Sequence, residues 1–143
     1  MVSAAAYAES LGAALVVHLL RQYGSAPKAP TILKGCLPSK PLKRVVDHIN
    51  EHLQDELSLV ELSRIADLSP HHFATAFKTS MGIPPHRYVI ERRVDLAREL
   101  LRRSDKAISE IAYDVGFSSQ SHLTTNFRQT TGVTPRKFRE SLD

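Results

Sequence analysis

Two stretches of the chain gather side chains that can hydrogen-bond the edges of nucleic-acid bases. In the first, His71, Thr75 and Lys78 fall at helical spacing; in the second, Gln120, Ser121, Thr124, Thr125 and Arg128 cluster in the same way. Imidazole, hydroxyl and amide groups suit base edges, while lysine and arginine suit phosphate oxygens. The charge is distributed to match. From His71 to Arg93 the charged residues are Lys78, Arg87, Glu91, Arg92 and Arg93. From Gln120 to Arg139 they are Arg128, Arg136, Lys137 and Arg139, with no acid. Asp47 to Asp67 is the reverse, with Asp47, Glu51, Asp55, Glu56, Glu61 and Asp67 against Arg64. A formal net charge of +4 fits a polyanionic partner without requiring one.

The elements that must carry these side chains are all helical. Leu42, Val45, Val46, Ile49 and Leu53 lie on one face of a first helix. Ser58 with Glu61 makes the S-x-x-E start of a second, with Leu59, Leu62 and Ala66 expected inside. Ser69-Pro70 opens a third, which buries Phe73 and Phe77 and closes at Gly82. Pro84 and Pro85 precede a long helix to about Arg103, with Ile90, Val94, Ala97 and Leu101 on one side. Further helices are expected from Ile108 to Val115, from Ser119 to Thr131, and after Thr134-Pro135. No stretch alternates with a period of two, so the fold class is all-α. Upstream, Tyr7, Leu11, Leu15 and Leu19 predict a helix over residues 5–23. Ser25 to Pro41, with Pro27, Pro30, Pro38 and Pro41, reads as a linker. This divides the chain into residues 1–40 and a module over 41–143.

The module repeats itself. Phe77, Lys78, Gly82, Ile83, Pro85 and Tyr88 recur fifty positions later as Phe127, Arg128, Gly132, Val133, Pro135 and Phe138. Leu59, Leu62, Ala66 and Leu68 recur as Ile108, Ile111, Val115 and Phe117, shifted by forty-nine. Each copy is a short helix, a tight turn and a second helix, which is the helix-turn-helix arrangement, here over 59–80 and 108–131. Gly116 supplies the permissive turn residue in the second copy. Asp67 takes that place in the first, where some strain is expected. A linking helix of about nineteen residues is roughly 28 Å long. It suits two heads placed near one turn of B-DNA, roughly 34 Å, apart.

Residues 42–142 resemble the DNA-binding domain of the AraC/XylS family of bacterial transcription regulators. The most specific segment runs from Ile108 through Ser109, Glu110, Ile111, Ala112, Tyr113, Asp114, Val115 and Gly116 to Phe117. Ser119-Gln120-Ser121-His122-Leu123, Gly132-Val133-Thr134-Pro135 and Leu68-Ser69-Pro70-His71-His72-Phe73 add to it. The resemblance implies two homeodomain-like subdomains in tandem on a linker helix, binding double-stranded DNA, with RNA polymerase as a common partner. It places base contacts at His71, Ala74 and Thr75, and at Gln120, Ser121, Thr124 and Thr125. Phosphate contacts are expected from Lys78, Arg87, Arg128, Arg136 and Lys137. Members often carry arginine where Thr75 and Thr125 stand, so the bidentate guanine contact is absent at both places. Members also carry a sensing or dimerising domain upstream. Residues 5–23 read as the last helix of one, with self-association as an expected use.

Other functions are weaker readings. His48-Ile49-Asn50-Glu51-His52 matches the H-x-x-E-H of inverted zinc proteases, with both histidines at i and i+4. Val45 and Ile49 place the buried face of that helix elsewhere, and no enzyme activity, metal or cofactor is expected. Cys36 is the only cysteine, which excludes an internal disulfide. Leu11 to Leu20 is too short to span a bilayer. A cytoplasmic, nucleoid-associated regulator with no membrane contact is the expectation, of activator type. Its target site and effector are not indicated. The alternative is a protein-interaction module with weak DNA binding, using the acidic stretch.

Overall fold

The computed structural model describes residues 35–143. The helix expected over 5–23 and most of the linker lie outside the described residues. Within them the chain forms α1 (Ser39–Glu51), α2 (Leu59–Ile65), α3 (Pro70–Met81), α4 (Pro85–Arg103), α5 (Ile108–Asp114), α6 (Gln120–Thr131) and α7 (Pro135–Glu140), and no strand. Helix α1 begins two residues before Pro41. That proline is tolerated because a first-turn residue needs no N–H partner, and the first helical bond runs from Leu42 N to Pro38 O at 3.1 Å.

The core is two clusters. Leu42, Val45, Ile49, Leu62, Phe73 and Phe77 form the first with Tyr88 and Val89. Ile111, Val115, Phe117, Leu123 and Phe127 form the second with Ile90, Val94, Ala97 and Leu101. Helix α4 is therefore part of both cores, its first residues in one and most of its length in the other. One inner position expected in the first unit is more open: Leu59 is 41 % exposed. Leu59 is the first residue of a seven-residue helix, ahead of the turn that packs, and Leu62 and Ser63 carry the buried stripe.

The start of α2 departs slightly from a closed capping box. Ser58 Oγ accepts from Glu61 N at 3.1 Å, but the Glu61 carboxylate lies 3.3 Å from His48 Nε2 of α1. His48 is thus half-buried against α2 rather than on an open face. Its ring stacks on His52 with centroids 4.1 Å apart. Among the described residues, no group of three or more His, Cys, Asp or Glu is placed to hold a metal ion.

The duplication extends to turn geometry. Leu68 N donates to Ser63 O at 3.0 Å and Phe117 N to Ala112 O at 2.9 Å. Asp67 has φ 60 and Gly116 φ 99. Asp67 is the one described non-glycine in the left-handed region, which costs an L-residue roughly 1–2 kcal/mol. The strain expected at the first turn is present.

Candidate nucleic-acid interface

Helices α3 and α6 start the same way. Ser69 Oγ accepts from His72 N at 3.3 Å, and Ser119 Oγ from His122 N at 3.1 Å. A side-chain oxygen at this place satisfies one of the four N–H groups that a helix start leaves open. Both helices end on a left-handed glycine, Gly82 and Gly132. Between those ends the two helices expose and bury the same positions. Residue by residue, Pro70–Met81 and Gln120–Thr131 follow one sequence of exposed, half-buried and buried positions. Phe73 and Phe77, or Leu123 and Phe127, anchor the inner faces at 0 % exposure. The second anchor of each helix meets a ring of the following helix edge-on, Phe77 with Tyr88 at 5.6 Å and Phe127 with Phe138 at 5.5 Å.

The outer faces carry the candidate contacts. His71, Thr75, Gln120, Ser121 and Thr125 are exposed, and Ala74 and Thr124 are half-buried at equivalent places. Thr75 Oγ1 donates to His71 O at 3.1 Å, and Thr79 Oγ1 to Thr75 O at 2.9 Å. Thr79 and Gln129, both exposed, extend the outward stripes by another turn. Sequence reasoning passed over them, although each lies four residues after Thr75 or Thr125.

Of the phosphate candidates, Lys78, Arg128, Arg136 and Lys137 are exposed and Arg87 is half-buried. Arg87 Nε is 3.4 Å from Glu91, and Arg136 Nε is 3.4 Å from Glu140. Such i,i+4 pairs are worth only about 0.3–0.5 kcal/mol, so a phosphate competes with them easily. Lys78, Arg128 and Lys137 are in no ion pair among the described residues.

Other cations in the two basic stretches serve the fold. Arg92 Nε donates to Asn50 Oδ1 at 2.8 Å. Arg93 donates to Leu53 O at 3.0 Å and to Asp55 O at 2.8 Å, and burial pulls its pKa below the ordinary guanidinium value. Arg139 donates to Lys106 O at 2.6 Å and Ser104 O at 3.1 Å, closing the loop after α4. Charge counting alone cannot separate these arginines from the outward ones.

A family of helix-turn-helix domains matches residues 62–141. The transcriptional regulator LumQ of Photobacterium leiognathi is 41 % identical over 92 residues, covering 64 % of this chain and 37 % of that protein. The chain belongs to the AraC/XylS family of helix-turn-helix transcription regulators. A second AraC/XylS relative, ExsA of Pseudomonas aeruginosa, is 30 % identical over 130 residues, 90 % of this chain and 47 % of ExsA. The chain thus spans less than half the length of either relative. Among solved structures, the DNA-binding domain of AdpA in complex with a target DNA superposes with TM-score 0.68 and 33 % identity. That match covers 71 % of this chain and 91 % of the AdpA domain. The all-α tandem arrangement is that of AraC-type domains. No helix of the described residues is long and apolar enough to cross a membrane.

Proposed function

We propose that this AraC/XylS chain is a sequence-specific, double-stranded-DNA-binding transcription regulator whose α3 and α6 enter adjacent major-groove segments. The observation that carries this reading is the shared exposure pattern of α3 and α6, with outer faces free of acid. Two unrelated solvated helices have no reason to match at twelve successive positions. The AdpA complex with target DNA supports the same docking of the same fold. His71, Ala74, Thr75, Gln120, Ser121, Thr124 and Thr125 face base edges. Lys78, Arg87, Arg128, Arg136 and Lys137 face phosphates. With threonine at Thr75 and Thr125, base discrimination falls to Gln120, His71, bridging water and DNA shape. The protein acts in the cytoplasm as an activator contacting RNA polymerase, and no catalytic role is assigned to it.

Selection of bound sequences from a random DNA pool gives the site. On it, Lys78→Ala and Arg128→Ala are each expected to weaken binding at all sequences and to reduce the slope of log K against log salt by about 0.9. Gln120→Ala is expected to relax preference at one base pair, by about 1–3 kcal/mol. If all three leave the affinity, slope and preference of the unaltered chain intact, this docking mode is wrong.

Residues 1–40 are proposed as the end of a sensing or dimerising domain, with self-association through residues 5–23. The ExsA match, which runs upstream of the tandem module, supports this. Sedimentation at tens of micromolar is expected to show a concentration-dependent dimer; a strict monomer overturns it.

A further inference from the structure

The fifty-residue repeat gives each phosphate candidate of the module a cationic counterpart, with one exception. Lys78 answers to Arg128 and Arg87 to Lys137, but the counterpart of Arg136 is His86. The two places are built alike. Gly82 and Gly132 turn the chain with φ 83 and 86. The cap residues that follow, Pro84 and Thr134, have φ -64 and -74 and ψ 156 and 158. Pro85 and Pro135 then open the next helix, both buried, and Tyr88 and Phe138 seat it edge-on against Phe77 and Phe127. One residue past each proline, His86 and Arg136 are both exposed. The first unit thus presents His86 beside α3 as the second presents Arg136 beside α6.

A second, independent observation is the charge around the two residues. Arg136 has Glu140 four residues on, 3.4 Å away. Four residues past His86 stands Ile90, 6 % exposed and part of the second core cluster. His86 itself is in no ion pair among the described residues. The acids of its own helix and of α1 are held by other cations: Glu91 by Arg87 at 3.4 Å, Asp95 by Arg92 at 3.3 Å and Asp47 by Lys43 at 3.0 Å. On α3 the titratable groups are His71, His72 and Lys78, with no acid, and His72 is bonded to Ser69 Oγ at 2.9 Å. Helices α5, α6 and α7 share a core with α4 through Ile90 and the residues after it.

From these observations we propose that His86 is the first unit's phosphate contact at this place and engages DNA as the imidazolium, so that the contact forms with uptake of a proton. The proposal deepens the DNA-binding reading given above and rests on it. A neutral imidazole offers one N–H and no charge, whereas the imidazolium offers two N–H groups and a positive charge. Histidine ordinarily changes charge between about pH 5 and 8, and a nearby phosphate favours the charged form. Protonation therefore accompanies binding. The gain in affinity is complete at the acid end of that range and is lost as the pH rises through it. Arg136 keeps its charge throughout. The two halves of the site are then held by unlike cations, one permanent and one that comes and goes with pH.

The test measures binding of the full chain to its selected duplex from about pH 8 to about pH 6, at several salt concentrations. The unaltered chain is expected to bind about tenfold tighter at the acid end, the size of one hydrogen bond to a charged group. Its salt slope should grow by about 0.9 over the same range. H86Q should remove the slope change and most of the gain, leaving what His71 contributes. H86R should show at the alkaline end the affinity and slope that the unaltered chain reaches at the acid end. R136Q should lower the slope by about 0.9 at every pH and keep the pH-dependent change. An H86Q variant that retains the whole gain and slope change overturns the proposal while leaving the two reading heads standing. So does an unaltered chain whose affinity and slope ignore pH. Failure of the unaltered chain to bind any duplex in a salt-dependent way overturns both readings.

Discussion

Replacing Gly116 by alanine is expected to destabilise the protein by about 2–5 kcal/mol, far more than the same change at Gly82 or Gly132. All three glycines have positive φ, at 99, 83 and 86, and that alone costs an L-residue roughly 1–2 kcal/mol. The surroundings separate them. A Cβ at Gly82 or Gly132 meets nothing within 4 Å, whereas at Gly116 it overlaps the backbone oxygen of Leu53 and comes within 2.8 Å of Arg93 Nε. Leu53 lies in the loop after α1, and its carbonyl already accepts from Arg93. The turn of the second helix-turn-helix, the loop between α1 and α2 and the linking helix therefore meet at one point. Neither the carbonyl nor the held guanidinium can move aside cheaply, so crowding adds about 1–3 kcal/mol. Thermal unfolding of the three alanine variants checks this, with a drop of roughly 10 °C or more at Gly116. Equal melting temperatures would mean that the junction yields. Where Gly116→Ala still folds, the two heads are expected to sit differently. Affinity for the full site should then fall more than affinity for an isolated half-site.

That junction shows what the sequence withheld. The fifty-residue recurrence of Phe77 and Phe127, Gly82 and Gly132, Pro85 and Pro135 is legible because repeated packing demands repeated residue types at fixed spacing. Helix starts at Ser58, Ser69 and Ser119 are legible because an N-cap needs a short oxygen-bearing side chain. Gly116 is recognisable as a turn residue from its local place. Its contact with Leu53 is not local, and no spacing rule links a glycine to a carbonyl sixty-three positions earlier. The candidate interface divides in the same way. Outward residues such as Thr75 and Gln120 follow from helical periodicity. Arg92, Arg93 and Arg139 look like their outward neighbours in sequence, and only tertiary hydrogen bonds to Asn50, Leu53 and Lys106 assign them to the fold. Leu59 departs from its expected place because periodicity assigns a face without saying how far along it the partner helices extend.

The second large effect is expected at Phe127, and it should be confined to one half of the module. Phe127 is fully buried in the second core cluster, so Phe127→Ala removes a phenyl from a closed packing and costs about 3–5 kcal/mol. Total stabilities of such domains are about 5–15 kcal/mol, so this is a large share of whatever holds α5 to α7. The first cluster contains no residue of those helices. Its ties to the second unit are the shared helix α4, with Leu96 packed against both clusters, the bonds of Arg93 and the Gly116 contact. At about 1.4 kcal/mol per tenfold, amides of α5 and α6 should exchange roughly 10²- to 4 × 10³-fold faster, while those of α2 and α3 change by less than tenfold. Phe77→Ala should give the mirror result, because Phe77 holds the same place in the first cluster. On DNA, Phe127→Ala is expected to lose protection over the α6 half-site before the α3 half-site as temperature rises. Uniform acceleration across α2, α3, α5 and α6 would instead make the module one cooperative unit. The two heads would then engage or release DNA only together.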